Sequence, residues 1–152
     1  MLITDALLGE HSIFFLLLQH LEQSLPASGS AAALKDRMAA SAFALEAHSQ
    51  LEDELLFTAL ESHLGVTGGP LAVMRMEHEQ ITVLLERIES AASVEEGRDH
   101  AGQLIRAARG HFQKEEQVLF RLARQFLGEE ELSGLGAAWA QRRVPLIKLD
   151  SL

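Results

Sequence analysis

A chain of 152 residues, 47% of them hydrophobic, is the size of one domain and can bury a core of its own. It contains no Cys and no Tyr, which excludes disulfides, thiolate metal sites, Fe–S clusters, Cys nucleophiles and phenolate ligands. Its net charge of −9 argues against nucleic acid or an anionic membrane as the main partner, and no stretch approaches the ~18–20 apolar residues of a membrane span.

The N-terminus lacks the basic flank and cleavage site of a signal peptide, so the expected compartment is the cytoplasm. A first helix is predicted near 5–24, closed by the turn sequence "PASGS" at 26–30. A second runs near 31–64 and ends at "GVTGGP", whose Pro70 suits the first turn of a third helix near 71–91. "SVEEGRD" then leads into a fourth near 96–127. "GEEELSG" marks a later break, followed by a shorter helix near 130–142 and the tail "RRVPLIKLDSL". Four long helices on short connections imply an all-α protein, an up-down-up-down four-helix bundle with a short extra C-terminal helix and tail. The expected organisation is a single domain over 1–152, with the bundle at about 5–127 and a C-terminal extension at about 128–152.

Helical periodicity gives each long helix one buried face. The first carries Leu7, His11, Phe14, Leu18 and Leu21; the second Leu34, Met38, Leu45, His48, Glu52, Leu55 and Ala59. The third carries Leu71, Met74, His78, Ile81, Leu85 and Ile88; the fourth Ala101, Leu104, Ala108, His111, Glu115, Val118 and Leu122. Every face is interrupted, well inside its helix, by His or by His and Glu.

The interruptions repeat. "AHSQLEDELLF" (Ala47 to Phe57) and "GHFQKEEQVLF" (Gly110 to Phe120) share the skeleton His-x-Gln-x-Glu-x-x-x-Leu-Phe. "EHSIFFLLLQHLEQS" from Glu10 aligns with "EHEQITVLLERIES" from Glu77, placing His11 on His78 and Leu21 on Ile88. The chain therefore reads as two copies of one helical hairpin around a two-fold axis. The turn between the second and third helices matches this symmetry less well, so its Gly-rich loop must climb along the axis.

Together His11, His48, Glu52, His78, His111 and Glu115 converge on one level of the core. Two carboxylates buried there without partners would cost roughly several kcal/mol each, a penalty that cations remove. The i,i+4 spacing of His48 with Glu52, and of His111 with Glu115, stacks each pair on one helix face a turn apart. By symmetry one metal takes His11 and His48, the other takes His78 and His111, and Glu52 and Glu115 bridge them. A mixed N/O set with bridging carboxylates suits iron or manganese better than a structural zinc, which prefers four closed ligands.

With these motifs the sequence resembles the hemerythrin-like (HHE) cation-binding domains over roughly residues 5–127. The resemblance rests on Glu10-His11, on His48-x-x-x-Glu52 followed by Leu56-Phe57, on Glu77-His78, and on His111-x-x-x-Glu115 followed by Leu119-Phe120. It implies a non-haem di-iron centre with two iron ions, manganese or zinc being able to substitute. The implied ligand is a small diatomic molecule or peroxide. The expected function is to bind or sense O2, NO or peroxide, or to hold iron; the alternative is a di-iron oxidase or peroxidase acting on O2 or peroxide. Two departures stand out. Oxygen-carrying relatives have His-x-x-x-His on the third helix, and Met74 occupies its first position here; thioether is a poor ligand for ferric iron. The Pro that often follows Leu-Phe is replaced by Thr58 and Arg121, which should affect only helix bending.

The remaining polar residues are read more plainly. His20 faces out, His63 sits where the dipole of a helix C-terminus favours positive charge, and His100 is solvated near a helix start. Glu10 and Glu77 either orient imidazoles from behind or stand in solvent. Phe14, Phe57 and Phe120 are read as core filler. A ferritin-type centre is disfavoured because no His has Glu three residues before it.

Overall fold

The computed structural model describes residues 1–143, and among them every regular element is helical. The expectations for residues 144–152 lie outside the described residues. Helix α1 (Ile3–Ser24) is followed by one 3₁₀ turn, Leu25–Ala27, and by α2 (Ala31–Glu52). The same helix continues through a π-helical turn, Asp53–Phe57, into α3 (Thr58–Leu64). Helix α4 spans Gly69–Ser90, and α5 spans Val94–Lys114. A second π-helical turn, Glu115–Leu119, carries α5 into α6 (Phe120–Phe126), and α7 (Glu129–Arg143) follows. No described helix is long and apolar enough to cross a membrane.

Local chemistry sets the boundaries. Ser30 and Ser93 cap α2 and α5 by accepting from the amides of Ala33 and Glu96, and Glu96 reaches back to the amide of Ala92. Arg98 on α5 donates to the carbonyls of Leu25, Pro26 and Ser28, so the first turn is pinned to the second hairpin. The loop before α4 uses positive φ at Gly65 (77°), Gly68 (79°) and Gly69 (68°), a conformation glycine reaches without a Cβ penalty.

Two apolar clusters fill the bundle. One gathers Phe14, Leu18, Leu45, Leu85, Leu104 and Phe112; the other gathers Leu7, Phe57, Met74, Leu119, Phe120 and Leu132.

The π turns correct the predicted faces of the second and fourth helices. Leu55 and Ala59 are only half-buried, Leu122 is half-buried, and Val118 is 46% exposed. Their places are taken by Leu56, Phe57 and Leu60, and by Leu119, Phe120 and Ala123. Each wide turn absorbs one extra residue, so every buried position beyond it falls one later than a regular 3.6-residue period allows. Thr58 exploits the first turn, donating its hydroxyl to the carbonyl of Asp53 at 2.9 Å. The residue that replaces the expected Pro therefore does more than spare the helix a bend.

Candidate metal centre

α1, α2, α4 and α5 each contribute a buried His to one level between the two apolar clusters, and Glu52 and Glu115 open the π-turn region on their helices. His11, His48, Glu52 and Glu115 are buried at 0–1% exposure, His111 at 1% and His78 at 5%. His11, His48, Glu52 and Glu115 bring ligand atoms within 4.8 Å of one another, and so do Glu52, His78, His111 and Glu115. The two sets share both glutamates.

All four imidazoles present Nε2 to the interior. Nε2 of His48 lies 3.3 Å from Glu52, that of His78 3.5 Å from Glu52, and those of His11 and His111 3.3 Å from Glu115. The Nε2 atoms of His11 and His48 are 3.2 Å apart. Each Nδ1 turns outward to a carboxylate: His11 to Glu116 (3.0 Å), His48 to Glu10 (2.6 Å), His78 to Asp53 (3.3 Å) and His111 to Glu77 (3.0 Å). A carboxylate behind Nδ1 fixes the tautomer with its proton outward, leaving the Nε2 lone pair facing in.

Glu10 and Glu77 thus orient imidazoles, each serving the His of the neighbouring helix rather than its own sequence neighbour. Asp53 and Glu116 were not singled out from sequence, although one signal was there: an acid follows the core Glu in both copies of the motif.

The Phe residues expected as core filler also face the histidines. Phe57 stacks on His78 (5.2 Å between ring centroids, 9° between planes), and Phe120 stacks on His11 (5.4 Å, 24°). Phe14 meets His48 edge-on at 5.0 Å. His20 is exposed, as expected. His63 is exposed at the end of α3 and stacks on Phe126, its repeat counterpart, at 5.4 Å. His100 differs from expectation: it is half-buried, with Nδ1 enclosed and unpaired and Nε2 3.9 Å from Glu96.

The electrostatics are those of a cluster waiting for positive charge. Both oxygens of Glu52 and of Glu115, together with Nε2 of His78 and of His111, are buried without a hydrogen-bond partner. Burial works against charge on His78, but its hydrogen bond to Asp53 and the nearby carboxylates of Glu52 and Glu115 outweigh it and push the ring up to about 10. Burial likewise opposes charge on His11 and His111, yet Glu115 raises both. Burial would raise Glu115 as well; its contacts with His11 and His111 hold it far below the usual carboxylate range. Protons can therefore supply the charge that the donor set demands, and divalent cations can supply it with better geometry for six convergent N/O ligands. The residues fit a metal pair.

A family model described as the hemerythrin HHE cation-binding domain matches residues 2–123. The chain belongs to this family. No curated protein and no solved structure matches the chain. In this hemerythrin-domain protein the family match covers α1 through most of α6 and stops before α7.

Proposed function

We propose that this protein is an up-down-up-down bundle that holds two iron ions in its core. His11 and His48 hold one and His78 and His111 the other, with Glu52 and Glu115 bridging them. In this reading the domain spans the whole chain, works in the cytoplasm, and binds or senses O2, NO or peroxide, or holds iron. One observation carries it. Four Nε2 atoms and four carboxylate oxygens face one another in a buried volume, the oxygens and two of the nitrogens without a partner, and every Nδ1 is turned outward to a carboxylate. Without cations such a core would cost roughly several kcal/mol per unpaired carboxylate.

Bound ferrous ions would supply reducing electrons and open positions for a small ligand. The chain's own residues do the rest. Glu10, Asp53, Glu77 and Glu116 hold the rings in one tautomer, while Phe57 and Phe120 press on two of them and keep bulk water from the apolar end. Metal analysis with an optical spectrum of aerobically purified protein tests the reading. Two iron ions per chain with near-ultraviolet charge-transfer bands are expected; zinc alone, or no metal, overturns it.

The oxidase or peroxidase alternative is favoured by Met74. It is 4% exposed and packs in the apolar cluster with Phe57, Leu71 and Leu119. A thioether there leaves the His78/His111 half with two imidazoles and the shared carboxylates, and so with room for a reacting ligand. Rapid autoxidation of the reduced protein supports this alternative, and an oxygenated form stable for hours excludes it.

A further inference from the structure

Helix α7 lies outside the internal repeat, and of the four carboxylates behind the imidazoles its described side chains bond one, Glu10. Trp139 donates its indole N–H to Oε1 of Glu10 at 3.1 Å. Arg143 grips both oxygens of the same carboxylate, through Nε at 2.6 Å and Nη2 at 3.1 Å. That carboxylate also accepts from His48 Nδ1. On the same helix end, Arg142 pairs with Glu54, in the π turn that directly follows Glu52. So α7 bonds the residue behind His48 and also, through Arg142, meets the π turn that begins with Asp53, the carboxylate behind His78. The other half has a looser arrangement: Glu77, the counterpart of Glu10, is met by His111 and by Lys114, whose side chain is 54% exposed.

The seat of α7 is built for close approach. A Cβ placed on Gly136 would run into the carbonyl oxygen of Met1 and lie 3.1 Å from the amide nitrogen of Ile3. Only glycine lets α7 settle this tightly on the start of α1.

We propose that α7 is a strap that positions His48, with Trp139 and Arg143 fixing the Glu10 carboxylate that fixes the ring. The inference rests on the two-half reading given under Proposed function. A lone Glu behind an imidazole can swing about its side-chain torsions. One held by an indole and a bidentate guanidinium cannot, and the ring it orients loses the same freedom. The two halves of the centre are then unequal. The strap lowers the reorganisation needed to hold an ion at His11 and His48 and bears on the His78/His111 half only through the Glu54 turn, with no bond to Glu77 or Asp53. By linkage, an ion at His48 favours docked α7 as much as docked α7 favours the ion, which gives the centre a way to signal its occupancy at the surface.

Zn2+, which has no redox chemistry, is the probe. The full chain and its Arg143→Gln, Arg143→Lys, Trp139→Phe and Gly136→Leu variants are loaded with Zn2+, and release to a chelator is followed in time. Two release phases are expected, with the one missing from His48→Ala assigned to the strapped half. Arg143→Gln should speed that phase by about 10–100-fold and leave the other unchanged, and Gly136→Leu, which also frees the Glu54 turn, should speed that phase more than the other. Trp139→Phe and Arg143→Lys should act in the same direction but less. Equal acceleration of both phases, or none, overturns the strap. A second measurement needs no metal: imidazole 15N NMR of the metal-free protein. Arg143→Gln should hasten exchange of the His48 Nδ1–H and not that of His111, and equal behaviour of the two rings overturns the strap. If the unsubstituted chain takes up no Zn2+, the two-ion reading fails, and the NMR comparison still decides whether α7 positions His48.

Discussion

The two halves of the centre come from one repeated hairpin, yet they sit in different surroundings. Around His11 and His48 the walls are aromatic, with Phe14, Phe112 and Phe120 within 4.4–5.6 Å of the rings, and α7 closes the outside. The position equivalent to Phe112 in the other copy is Ser49, and the one equivalent to Phe14 is Ile81. Around His78 the wall opens instead into a polar groove of about 470 Å³, lined by Ser49, Asp53, Arg75, His78 and Thr82 among others. The carboxylates behind the rings are alike in the two halves, Glu10 and Glu77 both at 17% exposure and Glu116 and Asp53 at 32% and 38%, so the difference lies in the walls. The repeat supplies the His and Glu residues, and the unrepeated ones leave His11 and His48 behind aromatic rings while His78 itself lines a groove. Exchange of ions and ligands is therefore expected through the His78 side.

The largest effect expected is the loss of both halves together. Glu52→Ala with Glu115→Ala should abolish binding of two ions, since each carboxylate belongs to both ligand sets. Full metal content in that double variant, measured by elemental analysis, would end the proposal. Single His substitutions should instead separate the halves. His48→Ala is expected to remove one ion and spare the other, and His111→Ala to do the converse; equal loss of both ions from either would contradict the half-site assignment.

Acidity sharpens the comparison further. The His78 ring is raised from 6.5 to about 10 in the metal-free fold, so its contribution to stability is fully present below pH 6.5 and fades as pH rises through about 10. Metal-free protein should thus lose melting temperature between these values, while the loaded protein, whose ring nitrogen is committed to an ion, should not. Metal uptake should release protons, with apparent affinity climbing over the same window. Parallel melting curves for the two forms across that range would show that His78 does not face the ion.

Smaller and more local is the effect of Met74→His. It should add a ligand to the His78/His111 half, slow Zn2+ release there by about tenfold and slow autoxidation of the reduced iron form. Unchanged release and oxidation rates would mean that Met74 does not border the centre.

The smallest effect tests the helix phase. Leu119→Ala should cost about 2–5 kcal/mol in chemical denaturation, and Val118→Ala no more than about 0.5. A reversed order would put the buried face back where a regular helix has it.

Much of this architecture was legible in the sequence, because the repeat writes each buried His and Glu twice and helical period places it. The five helices, the turns and the six buried His and Glu follow from that logic. What escaped has specific causes. Period counting assumes 3.6 residues per turn throughout, so it ran past both π turns and chose Leu55, Ala59, Val118 and Leu122. The reach of Trp139 and Arg143 back to Glu10 joins the two ends of the described chain, and no local pattern encodes such a contact. Asp53 and Glu116 escape a search along the apolar face because each lies beside it and not on it.

Each π turn also holds one residue more than a regular helical turn, with no loop to mark it. Any homologous helix lacking it must be matched to this one across a one-residue gap in the middle of continuous helix, where gaps are ordinarily forbidden. Without that gap, Glu52 and Leu60 cannot both be aligned correctly, and neither can Glu115 and Ala123. A relative could then seem to have kept the ligands and lost the core, or the reverse, through nothing but arithmetic. Deleting the exposed Glu54 would be the matching experiment at the bench, drawing the helix back to regular pitch with its far end still in phase.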